Sequence, residues 1–278
     1  MNEIVSYFNT IPSSHRSLIL VGGITIFWLI ENAFPLFKFT YKKWHHAGIN
    51  FFLTFTTIII NFSLAIILLK TSDWTIANNF GVLQWLPPMA LWLYTLIGLL
   101  LLDLIGAYLV HLVEHKVKFL WRFHLIHHTD TWIDTTSANR HHPGESVIRF
   151  VFTTLGVLIV GSPMWMVFLY QTLSIVSTQF THANISMPKK LDYFLSYFIV
   201  SPNMHKVHHH FTLPYTDSNY GNIFSIWDRF FGTFMYLPKE EIIYGIDTYM
   251  KPEENNQLKN LLKIPFQKPR SPENNQKL

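Results

Sequence analysis

The sequence predicts an all-α fold: a multi-pass membrane helical bundle with a cytoplasmic, His-rich helical cap that holds a dinuclear metal site. Three observations predict it. Hydrophobic residues make up 49% of the 278-residue chain and Asp, Glu, Lys and Arg only 14%, whereas a soluble domain carries about 25% charged residues. Several apolar runs are long enough to cross a bilayer. Twelve of the 15 histidines fall in two stretches, 111–142 and 182–210.

Ser17–Phe37 is an apolar run of 21 residues whose only charge is Glu31, and Asn50–Leu69 is 20 residues without a charge. Met89–Val110 is 22 residues with one charge, Asp103. At 1.5 Å per residue each spans the hydrocarbon layer of ~30 Å as a helix. The first run is too long for a signal peptide's apolar core and is expected to remain as a span. Val147–Phe180 is apolar but broken by Gly161-Ser162-Pro163. This reads as a helical hairpin that enters and leaves the membrane, with a short first arm. Leu191–Val200 is too short to span and reads as an interfacial helix. The segment from Lys251 is polar and is expected to pack loosely. The resulting organisation is an N-terminal pair of transmembrane helices (1–88), a histidine-box catalytic region (89–235) and a polar tail (236–278).

Orientation follows from the basic residues near the spans. Lys38, Lys42 and Lys43 put the first loop inside, and Lys116, Lys118, Arg122 and Arg140 follow the third span. Both histidine stretches are then expected on the cytoplasmic side of a bacterial inner membrane, or of the endoplasmic reticulum in a eukaryote.

The histidines carry the chemistry. His111 and His115 are four apart, so on a continuing helix they share a face and one ion. His124, His127 and His128 form an H-x-x-H-H pattern in which the last two diverge by about 100°; one such trio can feed two adjacent ions. His205, His208 and His209 repeat it, His182 stands alone, and His141 and His142 precede Pro143. Imidazole suits Fe, Zn, Cu and Ni, and nine or ten rings suffice for two ions. Glu114, Asp130, Asp134, Glu145 and Asp217 are placed to accept N–H bonds from ligating rings and fix their tautomers. Cysteine is absent, which excludes disulfides, thiolate metal sites and Cys nucleophiles. A formal charge of +4 fits loops near anionic lipid and not a nucleic-acid surface.

His111-Leu-Val-Glu-His115, Trp121-Arg122-Phe123-His124-Leu-Ile-His127-His128, Arg140-His141-His142-Pro143 and His205-Lys-Val-His208-His209 together resemble the fatty acid hydroxylase / sterol desaturase superfamily, as do Asn219-Tyr220-Gly221 and Trp227-Asp228-Arg229. The resemblance covers about residues 90–235. It implies a membrane di-iron enzyme that hydroxylates, desaturates or demethylates a lipid with O2. It also implies two electrons from a separate electron-transfer protein, since no flavin, haem or iron–sulfur motif is present. Two Fe ions, open to replacement by Zn on purification, would be held by His111, His115, His124, His127, His128, His182, His205, His208 and His209. Where a further family histidine is expected the chain has Thr178, and His142 is the candidate to replace it. His210 is expected outside the ligand set, and Asp228 is expected to brace the last box through local Arg or backbone groups. Two rival readings are an H-x-x-E-H zinc membrane peptidase with Glu114 as base and a metal-binding transport protein. The peptidase leaves both H-x-x-H-H boxes unused. Transporters place ligands within the spans, whereas these histidines lie beyond the span ends.

Overall fold

A computed structural model describes residues 1–271. The described chain is helical, with isolated β-bridges and no β-strand. In order, α1 (Asn2–Asn9), α2 (Ser13–Ala33), α3 (Lys43–Ala77) and α4 (Val82–Trp85) lead into α5 (Leu91–Asp103), which continues through a π-helical segment (Leu104–Leu109) into α6 (Val110–Lys116). The cap begins with α7 (Lys118–His128), followed by the hairpin α8 (Pro143–Val160) and α9 (Met164–His182). Then come α10 (Lys189–Leu195), α11 (Pro202–His208), α12 (Ile226–Phe230), α13 (Pro252–Asn255) and α14 (Leu258–Leu261).

Four helical stretches are long and apolar enough to cross a membrane: Ser13–Ala33, Lys43–Trp85, Leu91–Lys116 and Pro143–Val160. The first starts and stops four residues earlier than expected. Phe34 leaves the helical region (φ −132°) because the following Pro35 disfavours α geometry at the preceding residue. Within the second, α3 alone is 35 residues long, about 52 Å at 1.5 Å per residue. It outruns the bilayer, and its polar first turns carry His46 and Asn50 into the cap. The hairpin's first arm is not short: it starts at Pro143 and runs 18 residues. Gly161 closes it in the left-handed region (φ 69°), the geometry glycine adopts without a Cβ penalty. The expected interfacial helix ends at Leu195.

Packing divides into three cores. Leu68, Leu102, Val157, Val160, Met166 and Val167 join α3, α5, α8 and α9 within the bundle. Ile49, Leu53, Leu125 and Ile126 pack with Leu261 and Ile264, so the described part of the C-terminal segment is docked on α3 and α7 rather than loose. The expectation for 272–278 lies outside the described residues. Ile133, Val207, Leu237, Ile242 and Tyr244 close the cap.

Candidate metal centre

Local structure explains how each histidine is aimed. Val117 is extended (φ −96°, ψ 107°) and separates α6 from α7, so the two helices fold back on each other and His111 Nε2 comes 3.1 Å from His124 Nε2. Ser201 caps α11, its hydroxyl accepting from Met204 N, and Pro202 occupies the first helical position where its missing N–H costs nothing. His182 closes α9.

The rings gather in two groups. His111, His115, His124, His128 and His208 offer ligand atoms all within 4.8 Å of one another, and so do His127, His182, His205 and His209. Every one of these rings is buried. The groups adjoin: the His128 and His209 rings stack with centroids 4.8 Å apart. Within the second group, His182 Nε2 lies 3.1 Å from His127 Nε2 and 3.0 Å from His205 Nε2.

Tautomers follow from the partners. The Nδ1–H groups of His111, His182 and His208 donate to the carbonyls of Tyr220 (2.9 Å), Thr178 (2.8 Å) and Ser218 (2.6 Å). A carbonyl can only accept, so the proton sits on Nδ1 and Nε2 keeps its lone pair. His124 Nδ1 donates to Glu145 (2.7 Å) and His115 Nδ1 to Asp217 (3.2 Å). Burial first, and neighbouring imidazoles second, push His124, His127, His128, His205 and His209 well below the usual imidazole pKa. Burial also lowers His208, with the His115 ring next in weight. Neutral rings with inward lone pairs are the ligating form.

These residues fit a metal. His115 Nε2 and His208 Nε2 are buried with no hydrogen-bond partner among the described residues, and a buried polar atom left unpaired is costly. Bare lone pairs 3.0–3.2 Å apart repel, yet about 3 Å is the spacing of adjacent ligands around an ion bound at about 2.0–2.1 Å.

His142 is not brought to either group. It caps α8, its Nδ1 accepting from Gly144 N at 2.9 Å, and its ring packs on Phe123 and Phe266. Its neighbour His141 lies beside the groups without belonging to either, its ring stacked 4.8 Å from His127 and its Nδ1 2.8 Å from Glu145. His210 faces away and accepts from Ile243 N. Of the five carboxylates expected to orient rings, Glu145 and Asp217 do so directly. Glu114 is held at 2.6 Å by Arg149, which also binds Glu145, so the residue required as base by the peptidase reading is engaged by a cation. Asp130 and Asp134 turn instead to His46 (2.9 and 3.4 Å). Asp103 accepts from Ile223 N and Phe224 N and does not reach the site. Asp228 accepts from Tyr220 N, Gly221 N and the Thr233 hydroxyl, a backbone brace as expected.

Some contributors were not read from the sequence. Tyr220 lies against the first group, its ring 5.1 Å from His115 and 5.5 Å from His111, and its buried hydroxyl has no partner among the described residues. His46, Asn50 and Arg140 tie α3 to the cap, with Asn50 Oδ1 accepting from Arg140 at 3.0 Å. The four-residue spacings His46/Asn50 and Glu145/Arg149 were the available signal, since such pairs share a helix face.

The profile of the family described as "Fatty acid hydroxylase" matches residues 95–233. Similar proteins include the ornithine lipid hydroxylase of Rhizobium tropici, 28% identical over 163 residues, covering 58% of this chain and 46% of that protein. The alkylglycerol monooxygenase of Danio rerio is 26% identical over 250 residues, covering 88% of this chain and 51% of that protein. A very-long-chain aldehyde decarbonylase of Oryza sativa subsp. japonica is 31% identical over 175 residues, covering 61% of this chain and 63% of that protein. The chain thus spans about half the length of the first two. No solved structure matches.

Proposed function

The chain belongs to the fatty acid hydroxylase family, and from that premise we propose that it hydroxylates an alkyl or acyl chain of a polar membrane lipid, using O2 and two iron ions. The observation that carries the proposal is the convergence of five and four buried imidazoles in two adjoining groups. Two relatives bear the names of a lipid hydroxylase and a monooxygenase, which favours hydroxylation over desaturation.

His111, His115, His124, His128 and His208 would hold one ion and His127, His182, His205 and His209 the other. Bound iron supplies the one-electron O2 chemistry that an unactivated C–H bond requires and amino-acid side chains lack. The protein's own part is orientation and exclusion. Glu145, Asp217 and the three carbonyls would keep the proton on Nδ1 of His124, His115, His111, His182 and His208, so that the Nε2 atoms of these five rings face the ions. Trp121, whose ring lies 4.7 Å from His115 and 5.3 Å from His128, and Tyr220 wall the first group off from water. The basic residues flanking the spans favour a cytoplasmic cap, where a separate electron carrier would dock.

The test is lipid mass spectrometry on cells with and without the protein, grown under labelled O2. One labelled oxygen gained by a lipid is expected. Loss of two hydrogens without label would replace hydroxylation by desaturation, and no lipid change would defeat the proposal. Purified protein is expected to carry two irons per chain; a single zinc would favour the peptidase.

A further inference from the structure

The segment that follows the last histidine box does not stay in the cap. Ile223 N and Phe224 N donate to Asp103 at 3.3 and 3.1 Å. Asp103 ends α5 in the middle of the Leu91–Lys116 stretch and is eight residues before His111, about 12 Å along the axis at 1.5 Å per residue. A second helix gives the same depth. Asn222 accepts from the Thr178 hydroxyl at 2.9 Å and donates to the Ser174 hydroxyl at 2.6 Å, one and two turns before His182. Both measures put residues 222–224 well below the plane of the imidazoles, beside the Leu91–Lys116 stretch, one of those long and apolar enough to span.

Backbone at that depth must be paired within the protein, and much of this turn's backbone is. Asp103 takes two N–H groups and Asp228 takes those of Tyr220 and Gly221. Val200 N and Ser225 N pair with Ile223 O and Phe198 O, and Thr233 N and Phe234 N with Asp228 O. What this turn presents outward is apolar: Ile226 is 49% exposed, Phe230 75% and Phe231 47%, next to Phe194 at 59% and Phe198 at 61% on the adjoining α10 segment. Arg229, the cation among them, is folded over the Phe234 and Tyr197 rings at 3.8 and 4.9 Å.

We propose that residues 222–231 form a re-entrant turn inserted into the acyl-chain region of the leaflet next to the histidine groups, with Asp103 and Asp228 as its backbone caps and Ile226, Phe230 and Phe231 in contact with lipid. The occupant of this surface is the bilayer itself, because the patch is continuous with the spanning helices. The turn also brings lipid close to the chemistry. Phe231 stacks on Tyr108 at 5.2 Å, Tyr108 meets Tyr220 at 6.1 Å, and Tyr220 packs on His115 at 5.1 Å. This inference rests on reading the long apolar helices as membrane spans, part of the function proposed above.

The chain has no native cysteine, so single-cysteine labelling is unambiguous. Full-length Phe230→Cys and Ile226→Cys would be labelled with a small fluorophore in phosphatidylcholine vesicles and challenged with doxyl-chain lipid or aqueous iodide. Phe62→Cys on α3 (84% exposed) serves as the lipid control and Glu241→Cys as the water control. Quenching by doxyl lipid at 230 and 226 within about twofold of that at 62, with iodide effective only at 241, is the expected result. Quenching by iodide at 230 and 226 while 62 responds to lipid would overturn the re-entrant turn alone. Shielding from both quenchers would also overturn it, assigning the patch to protein contact. A control at 62 that ignores doxyl lipid would remove the spanning reading, and the turn with it. Two positions are used so that a folding defect in one leaves the other to decide.

Discussion

Replacing Glu145 by Gln keeps the shape of the side chain and removes its charge. Glu145 is fully buried; its carboxylate lies 2.7 Å from His124 Nδ1, 2.9 Å from Arg149 Nε and 2.8 Å from His141 Nδ1. All three contacts fall on Oε1, and Oε2 is buried with no hydrogen-bond partner among the described residues, so a glutamine oxygen can take the place of Oε1 but carries no charge to set against His124 and Arg149. His124 then keeps an acceptor at Nδ1 but loses the basicity that a carboxylate partner confers. Loss of such a partner lowers metal affinity by about 10–100-fold, or about 1.4–2.8 kcal/mol. Asp217 makes the equivalent bond to His115 but at 3.2 Å, with its side chain 29% exposed and shared with Lys116. Water replaces part of that interaction, so Asp217→Asn should cost less than tenfold. The assay is chelator competition for Co(II) on the detergent-purified full chain, with His124→Ala as the reference for outright ligand loss. Unchanged affinity in Glu145→Gln, or a larger effect from Asp217→Asn, would refute the assignment of Glu145 as the carboxylate that orients His124.

Further outcomes are expected. His208→Ala and His209→Ala should each reduce bound metal from two ions toward one per chain by elemental analysis. His142→Ala should keep both and lower stability only by the value of a helix cap, about 0.5–2 kcal/mol. Chelation should lower the melting temperature and added Fe(II) restore it, since an ion held at 100 times its Kd stabilises the folded chain by about 2.7 kcal/mol. The four-imidazole group should release its ion before the five-imidazole group, seen as two steps in a chelator titration. Leu261→Ala, at a site 0% exposed, should destabilise by about 2–5 kcal/mol in thermal unfolding; a neutral result would mean that the C-terminal segment does not dock on α7.

What was legible in the sequence was local. Charge-free runs and the 3.6-residue period belong to single helices, so three spans and the pairing of His111 with His115 could be read without knowing what packs against what. Helix ends were less legible. The reach of α3 to Lys43 is decided by tertiary partners, because a stretch beginning Lys43-Trp44-His45-His46 is stable as helix only when His46 finds Asp130 and Asp134 and Asn50 finds Arg140. The choice between His141 and His142 was illegible for a similar reason. Both precede Pro143, and only the start of α8 determines which ring caps the helix and which faces the site. The docking of Leu261 and Ile264 was hidden by the polar stretches on either side, since an apolar patch as short as Leu261-Leu262-Lys263-Ile264 does not register as an apolar run.

The division of each H-x-x-H-H box has a physical reason that the spacing already contained. Residues i and i+4 lie nearly in line on a helix, while i+3 is displaced to one side. His124 and His128 therefore serve one group and His127 the other; His205 and His209 serve the second group and His208 the first. The two boxes are used in opposite senses, so each group receives an aligned pair from one box and a single ring from the other. Neither group is complete without both helices. That interdependence ties α7 to α11, about 80 residues apart, so ions bound as proposed would couple to the folding of this region. The difference between the groups lies in what is added: α6 contributes a second aligned pair, His111 and His115, whereas α9 contributes His182 alone. Its partner position one turn earlier is Thr178, whose hydroxyl instead donates to Asn222 in the turn below the site. Where a fifth imidazole would have joined the second group, the chain has a contact that helps anchor the turn proposed to enter the lipid.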